Sequence, residues 1–268
     1  MPAAEPPVVC CDLDGVVWRG EVAVPGSADA VEALRSRGHR VVFLTNNSNL
    51  TPDENVAKLA HVGVDADRTD VASSADAAAD LLAASLANGA RVLVCGGDGV
   101  RAALTDAGLE PVDGGRVDAV VVGWHREFDF AALDRASGAV REGARFVATN
   151  VDATYPTSDG MLPGNGALVA AVATASGSAP EVAGKPEAPM AAMVRRRFGE
   201  RGLVIGDRAS TDGALAAALG WPFGLVLSGI TTRAPAPGEE AVPDPPPAYV
   251  ADDLAAIARV LLGVDTQS

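Results

Sequence analysis

The chain has 268 residues, of which 48% are hydrophobic and 21% are charged, so it can hold two domains or one large α/β unit. Its formal net charge of −14 argues against binding to nucleic acid or to anionic membranes. No apolar run reaches the roughly 18 residues of a membrane span, and the N-terminus leads into a strand and not a signal peptide. The three cysteines lack the spacing of a disulfide framework. We therefore expect a cytoplasmic protein.

Short Val-rich runs alternate with Ala-rich stretches along nearly the whole chain. The runs predict strands at Val8–Leu13, Arg40–Thr45, Arg91–Cys95, Ala119–Val122, Arg145–Ala148, Gly202–Ile205 and Phe223–Leu227. The Ala-rich stretches predict helices at Ala28–Arg37, Asp53–His61, Ala75–Ala87, Val100–Ala107, Phe130–Glu142, Gly166–Ser176, Pro189–Phe198 and Gly213–Ala218. A Pro-rich loop at Pro235–Pro247 precedes a last helix at Asp252–Leu262. This alternation predicts an α/β fold with a doubly wound parallel sheet covered by helices.

Two carboxylates, Asp12 and Asp14, stand at the end of the first predicted strand and are followed by Gly15. Residues two apart in an extended chain point to the same side, so both carboxylates can face one pocket. Because two close carboxylates repel, a cation is expected between them, and Mg²⁺ prefers oxygen ligands. Alone, this pattern fits a polar strand end and a turn equally well.

Three further strand ends carry polar residues. Thr45–Asn47 offers a hydroxyl and backbone N–H groups that suit phosphoryl oxygens, although a turn before a helix has the same composition. Lys185 lies between Gly184 and Pro186, where a pinned lysine can pair with a phosphate or simply occupy a surface turn. Asp207 and Asp212 follow the strand at Gly202–Ile205, and Asp212 also fits the first turn of a helix.

Each of these motifs lies at the carboxyl end of a predicted strand, the edge where open α/β sheets bind ligands. Together the segments DLDGVVW, TNNS, GKP and GDRASTD resemble the four ordered motifs of haloacid dehalogenase-like phosphatases. Thr149–Pro156 and Leu162–Val172 are similar to the branch of nitrophenylphosphatase-like (NagD-like), pyridoxal phosphate and phosphoglycolate/glycerol phosphate phosphatases. The resemblance covers almost the full chain and is poorly specific for the substrate.

The resemblance implies a Mg²⁺-dependent phosphatase that acts through an aspartyl-phosphate. Asp12 would be the nucleophile, and Asp14 would be the general acid and base. Mg²⁺ would be bound by Asp12, by the backbone carbonyl of Asp14 and by Asp207, with Asp212 in a supporting position. The substrate would be a small phosphorylated metabolite.

The resemblance also implies how the transferring phosphoryl group is stabilised. The groups concerned are Thr45, the N–H groups of Asn46 and Asn47, and Lys185. Two positions depart from the common pattern: Ser210 replaces an acid, and Gly213 replaces an apolar residue. These departures put the outer metal shell and the start of the following helix in doubt.

Lys185 stands 140 positions after Thr45, which is more than a simple core needs. The resemblance implies a Rossmann-like catalytic core at 1–75 plus 182–268 and an inserted α/β cap domain at 76–181. Such a cap would exclude water and select the leaving group. Its candidate substrate-binding residues are Trp124, His125, Arg126 and Tyr155. Tyr155 stands where pyridoxal phosphate phosphatases have a histidine, which argues against that substrate. A homodimer through the cap is possible.

Other functions remain open on the sequence. A phosphotransferase or mutase could use the same fold. A nucleotide-cofactor enzyme is suggested weakly by Gly97-Asp98-Gly99 before Val100-Arg101-Ala102, with Asp118 about 20 residues further on. A non-catalytic phosphate-binding relative is disfavoured because all the catalytic positions are filled.

Overall fold

The computed structural model describes residues 7–157, 160–233 and 245–264. The strands are β1 Val8–Asp12, β2 Trp18–Arg19, β3 Val22–Ala23, β4 Val41–Thr45, β5 Val71–Ser73, β6 Arg91–Cys95, β7 Glu110–Val112, β8 Ala119–Val122, β9 Arg145–Ala148, β10 Thr154–Thr157, β11 Gly160–Pro163, β12 Glu181–Val182, β13 Gly202–Gly206, β14 Phe223–Val226 and β15 Tyr249–Ala251. The α-helices are α1 Ser27–Ser36, α2 Pro52–His61, α3 Ser74–Ala83, α4 Asp98–Asp106, α5 Phe130–Arg141, α6 Asn165–Ser176, α7 Ala188–Phe198, α8 Ala214–Leu219 and α9 Leu254–Leu261. None of the helices described is both long and apolar enough to cross a membrane.

The chain divides into two compact units. The first unit comprises the described residues of Met1–Thr45, Val56–Ala72 and Val194–Ser268. The second unit comprises Asn46–Asn55 and the described residues of Ser73–Met193. The predicted cap at 76–181 lies inside the second unit, and its boundaries stay a prediction.

The first unit is built on a six-stranded sheet in the order β15-β14-β13-β1-β4-β5. β1 pairs in parallel with β13 and β4, and the register sets Cys11 opposite Ile205 and Asp12 opposite Leu44. Apolar residues fill β1 and β4, which are buried almost throughout, as expected for strands covered on both faces. The carboxyl ends of these strands therefore meet at one edge, with β1 in the middle.

The second unit has its own five-stranded sheet in the order β12-β9-β8-β6-β7, and every pair in it is parallel. Its core is made of apolar side chains from β6, β8, β9, α5 and α6. A separate hairpin joins β10 to β11. The short strand β12 lies three residues before Lys185, so Lys185 follows this sheet at its carboxyl edge and does not itself end a strand.

The predicted parallel α/β fold is confirmed. The strands at Arg91–Cys95, Ala119–Val122 and Arg145–Ala148 agree with the prediction to the residue. Helix α3 ends at Ala83 and not at the predicted Ala87. Just after this end, the Ser85 hydroxyl donates to the carbonyl of Leu82, and such side-chain bonds to the backbone compete with helix continuation. Most of the predicted loop at Pro235–Pro247 lies outside the described residues.

The glycines at the start of α4 pack closely against the backbone of residues 48–50. The N–H of Gly99 donates to the carbonyl of Asn49 at 2.9 Å. A Cβ on Gly99 would collide with the carbonyl oxygens of Ser48 and Leu50. Close packing within the second unit thus accounts for Gly99, which the cofactor alternative would have assigned to a pyrophosphate.

Replacing Gly99 by Ala is expected to destabilise the protein by about 1–3 kcal/mol, because rigid backbone surrounds the site. Gly114→Ala is the matched control, since nothing lies within 4 Å of a Cβ built there. Urea unfolding measures both. Equal stability of the two variants would contradict the packing account.

Candidate active site

Three carboxylates meet at the carboxyl edge of the sheet in the first unit. Asp12 ends β1, and Asp207 directly follows β13. Together with Asp212, each offers one oxygen, and these oxygens lie within 4.8 Å of one another. Asp207 and Asp212 are buried, at 4% and 1% exposure, so their charges need a partner. A hard divalent cation with oxygen ligands fits this set.

Two glycines leave room for the carboxylate of Asp207. A Cβ on Gly15 or Gly229 would collide with its carboxylate. The N–H of Ile230 donates to Oδ2 of Asp207 at 2.5 Å, and the hydroxyl of Ser228 donates to the carbonyl of Gly15 at 2.6 Å. The loop after β14 therefore fixes both Asp207 and the turn that follows Asp12.

Asp212 is positioned by a π-helical turn at Ala209–Gly213, which leads into α8. Such turns insert one extra residue into a helix and are frequent at functional sites. The N–H of Arg208 donates to Oδ2 of Asp212 at 3.3 Å. The turn directs the carboxylate back against Gly206, where a Cβ would collide with it. Gly213 thus belongs to this turn and not to the regular helix.

Asp14 and Thr45 lie in the same unit. Oδ1 of Asp14 accepts a hydrogen bond from the indole N–H of Trp18 at 3.0 Å. Thr45 is the last residue of β4 and is 2% exposed. The structure therefore places Asp12, Asp14, Thr45, Asp207 and Asp212 at or after the carboxyl ends of neighbouring strands.

Cys11, beside Asp12, takes no part in this chemistry. Burial, followed by the negative charge of Asp12, raises the pKa of the Cys11 thiol to about 12. The thiol therefore stays protonated at neutral pH, and a thiolate nucleophile is excluded at this position.

In the second unit, the side chain of Asn46 clamps the backbone of Lys185. Oδ1 of Asn46 accepts from the N–H of Lys185 at 2.8 Å, and Nδ2 donates to the Lys185 carbonyl at 3.1 Å. The carbonyl of Asn46 in turn accepts from Ser74 Oγ and Asn150 Nδ2, each at 2.7 Å. Lys185 is 5% exposed, so its charged side chain is held in a rigid and buried setting.

The predicted substrate-selecting residues form a second cluster in that unit. The rings of Trp124 and Tyr155 stack with their centroids 4.5 Å apart. Nδ2 of Asn47 donates to the hydroxyl of Tyr155 at 3.3 Å. His125 lies apart from this stack, packed edge-on against Phe128, with Nδ1 2.9 Å from the carbonyl of Gly123. Arg126 is exposed in the following turn.

Two family models match the chain. One, described as haloacid dehalogenase-like hydrolase, matches residues 9–110, and a second, described as HAD-hydrolase-like, matches residues 182–257. A D-glycerol 3-phosphate phosphatase of Mycobacterium tuberculosis is 42% identical over 94% of this chain and 71% of its own length. The chain belongs to the haloacid dehalogenase-like hydrolases. An acid sugar phosphatase of Staphylococcus aureus is 32% identical over 91% of this chain and 93% of its own length.

Solved structures of this family share the fold. Glycerol phosphate phosphatase from Mycobacterium tuberculosis in complex with magnesium aligns with a TM-score of 0.84 and 39% identity, covering 94% of this chain and 76% of that one. The p-nitrophenyl phosphatase from Archaeoglobus fulgidus aligns with a TM-score of 0.86 and 28% identity, covering 96% and 100%. The predictions of the family branch, of phosphoric monoester hydrolysis and of Mg²⁺ as cofactor are confirmed.

The loop after β14 belongs to the site but was not predicted from the sequence. Ser228, Gly229 and Ile230 contact the nucleophile turn and Asp207, yet they carry no acid or catalytic hydroxyl that a motif search would select. Their signal is only positional, since they follow a buried parallel strand of the same sheet.

Gly229→Ala is expected to weaken Mg²⁺ binding about tenfold by displacing Asp207, as loss of a supporting contact does at other metal sites. The measurement is the Mg²⁺ concentration that half-activates the enzyme. Gly138→Ala is the control, because the nearest atom to a Cβ at this helical position is the end of the flexible Arg141 side chain, at 3.7 Å. Unchanged activation in Gly229→Ala would contradict the role given to this loop.

Proposed function

We propose that the chain hydrolyses a small phosphomonoester through an aspartyl-phosphate on Asp12. The observation that supports this most strongly is the cluster of Asp12, Asp207 and Asp212 at one sheet edge. A carboxylate nucleophile needs a neighbouring cation to approach an anionic phosphate, and this cluster supplies a place for one.

In the first step, a carboxylate oxygen of Asp12 attacks phosphorus, and the bond from phosphorus to the leaving oxygen breaks. Asp14 gives a proton to that oxygen and then takes one from the water that hydrolyses the aspartyl-phosphate. Asp12, the backbone carbonyl of Asp14 and Asp207 would hold Mg²⁺, with Asp212 in a supporting position, and the bound ion would offset the charge of the phosphoryl oxygens.

Four residues are proposed to bind the phosphoryl oxygens on the strength of their motifs. They are Thr45, Asn46, Asn47 and Lys185. For Asn46 the side-chain contacts add a second role, because the amide also fixes the backbone of Lys185. For Asn47 the side chain supports Tyr155, which leaves its N–H as the group proposed for phosphate.

Similarity to the D-glycerol 3-phosphate phosphatase of Mycobacterium tuberculosis supports glycerol phosphate as a substrate of this chain. Similarity to the acid sugar phosphatase of Staphylococcus aureus supports sugar phosphates. Phosphoglycolate and nitrophenyl phosphate belong on the same panel. A phosphotransferase or mutase would use the same residues, so phosphate release and transfer to an added alcohol should be measured together.

Asp12→Asn is expected to abolish phosphate release, because the amide is a poor nucleophile, with a loss of at least about 10³-fold. EDTA is expected to do the same to the unaltered enzyme, and added Mg²⁺ to restore it. Full activity in Asp12→Asn would disprove the nucleophile assignment, while activity in EDTA would disprove the metal dependence.

Trp124 and Tyr155 are proposed to contact the leaving group through their stacked rings. Trp124→Ala is therefore expected to change KM unequally among the substrates on the panel, by about tenfold for the preferred one. Inhibition by inorganic phosphate, which has no leaving group, serves as the internal control. A uniform change in every KM would argue against a role in selection.

Cytoplasmic location and a cap-mediated homodimer are also proposed. The location is supported by Cys10, Cys11 and Cys95, which are all buried thiols outside any disulfide, as suits a reducing compartment. The dimer is supported by the exposed apolar side chains of Phe130 and Met161 in the second unit.

A further inference from the structure

Trp18 is a buried tryptophan whose polar atom points at the proposed acid. The residue begins β2 and is 2% exposed within the hydrophobic core of the first unit. A buried indole N–H needs a hydrogen-bond acceptor. Here the acceptor is not a backbone carbonyl but Oδ1 of Asp14, at 3.0 Å.

The loop between the two residues fixes this contact. The carbonyl of Leu13 accepts hydrogen bonds from the N–H groups of Val17, at 2.9 Å, and Trp18, at 3.2 Å. The N–H of Gly15, which has φ of 85°, donates to the carbonyl of Trp18 at 2.7 Å. Both ends of the loop are therefore tied together, so the backbone of Trp18 is fixed relative to the turn that carries Asp14.

A lysine fixes the ring from its other side. Nζ of Lys58 lies 4.6 Å from the centroid of the Trp18 ring and 3.4 Å from a carboxylate oxygen of Glu21. A cation over an indole face is attracted by its π electrons. The same positive charge draws electron density from the ring, which makes the N–H a stronger donor toward Asp14.

We propose that Trp18 is a positioning residue that holds the carboxyl group of Asp14 in the orientation needed to protonate the leaving group. This inference rests on the proposed role of Asp14. When the bond from phosphorus to the leaving oxygen breaks, its electron pair stays on that oxygen, which takes the proton from Asp14. With Oδ1 fixed by Trp18, the other oxygen, Oδ2, delivers the proton.

This role has a signature that a purely structural role lacks. The leaving group of an alkyl phosphate such as glycerol 3-phosphate departs as an alkoxide unless its oxygen is protonated. The leaving group of 4-nitrophenyl phosphate, 4-nitrophenolate, is a stable anion at neutral pH. The ratio kcat/KM reports events up to phosphorylation of Asp12, which includes departure of the leaving group. Loss of acid positioning therefore lowers kcat/KM for the alkyl ester far more than for the nitrophenyl ester.

The test compares Trp18→Phe with the unaltered enzyme on both esters. Phe keeps most of the buried ring and removes the N–H. We expect kcat/KM for glycerol 3-phosphate to fall about tenfold, because the lost hydrogen bond is to a carboxyl group that becomes charged as it gives up its proton. We expect kcat/KM for 4-nitrophenyl phosphate to fall about twofold or less. An equal fall for both esters, or no fall for either, would overturn the proposal.

Trp221→Phe is the matched control, because Trp221 is also a buried tryptophan of the first unit and donates its N–H to the carbonyl of Glu200 at 2.9 Å. It should leave the ratio between the two esters unchanged. If Trp18→Phe fails to fold, site-specific replacement of Trp18 by 3-benzothienylalanine removes only the N–H and should give the same selective loss.

Asp14→Asn separates this inference from the function on which it depends. If Asp14→Asn lowers kcat/KM selectively for the alkyl ester and Trp18→Phe does not, Trp18 has no positioning role and Asp14 is still the acid. Equal losses on the two esters in Asp14→Asn would instead overturn the role of Asp14 itself.

Discussion

Mutual repulsion among three carboxylates is the constraint on which the site depends. Two unit charges at a separation of 4.8 Å repel by about 3.5 kcal/mol at an effective dielectric constant of about 20, and each of the three carboxylate pairs has oxygens within that distance. Folding brings these charges together only because β1 and β13 are neighbours in one sheet and because hydrogen bonds hold the carboxylates. A bound cation removes the repulsion, so metal binding and the stability of this edge are coupled.

The same constraint explains why glycine and backbone groups surround the acids. Asp207 can be buried only because Gly15 and Gly229 leave room for its carboxylate. The indole of Trp18 gives Asp14 a donor, and the amide of Asn46 fixes the backbone of Lys185 within the second unit. In each case one residue fixes the position of another that is proposed to act on the substrate, which is how preorganised sites stabilise transition states.

The sequence predicted the strands and the edge that carries the site because buried parallel strands are apolar runs that end in polar motifs. It missed short strands such as β2 and β3, because two residues show no periodicity, and it placed the end of a short strand at Lys185, three residues beyond the end of β12. It missed Gly229 and the partner of Asp14 because these depend on tertiary contacts between residues far apart in the chain or on the path of a loop. The opposite case is the glycine-rich segment at Gly97–Gly99, which resembles a cofactor-binding pattern but is explained by packing against residues 48–50.

The central claim is that a carboxylate of the protein, and not water, attacks the phosphorus of the substrate. The stereochemical course at phosphorus tests it most directly, using a phosphorothioate ester made chiral with oxygen isotopes and hydrolysed in isotopically labelled water. Attack by Asp12 followed by attack of water inverts phosphorus twice, so the account predicts net retention of configuration. Net inversion would mean a single displacement by water and would contradict it.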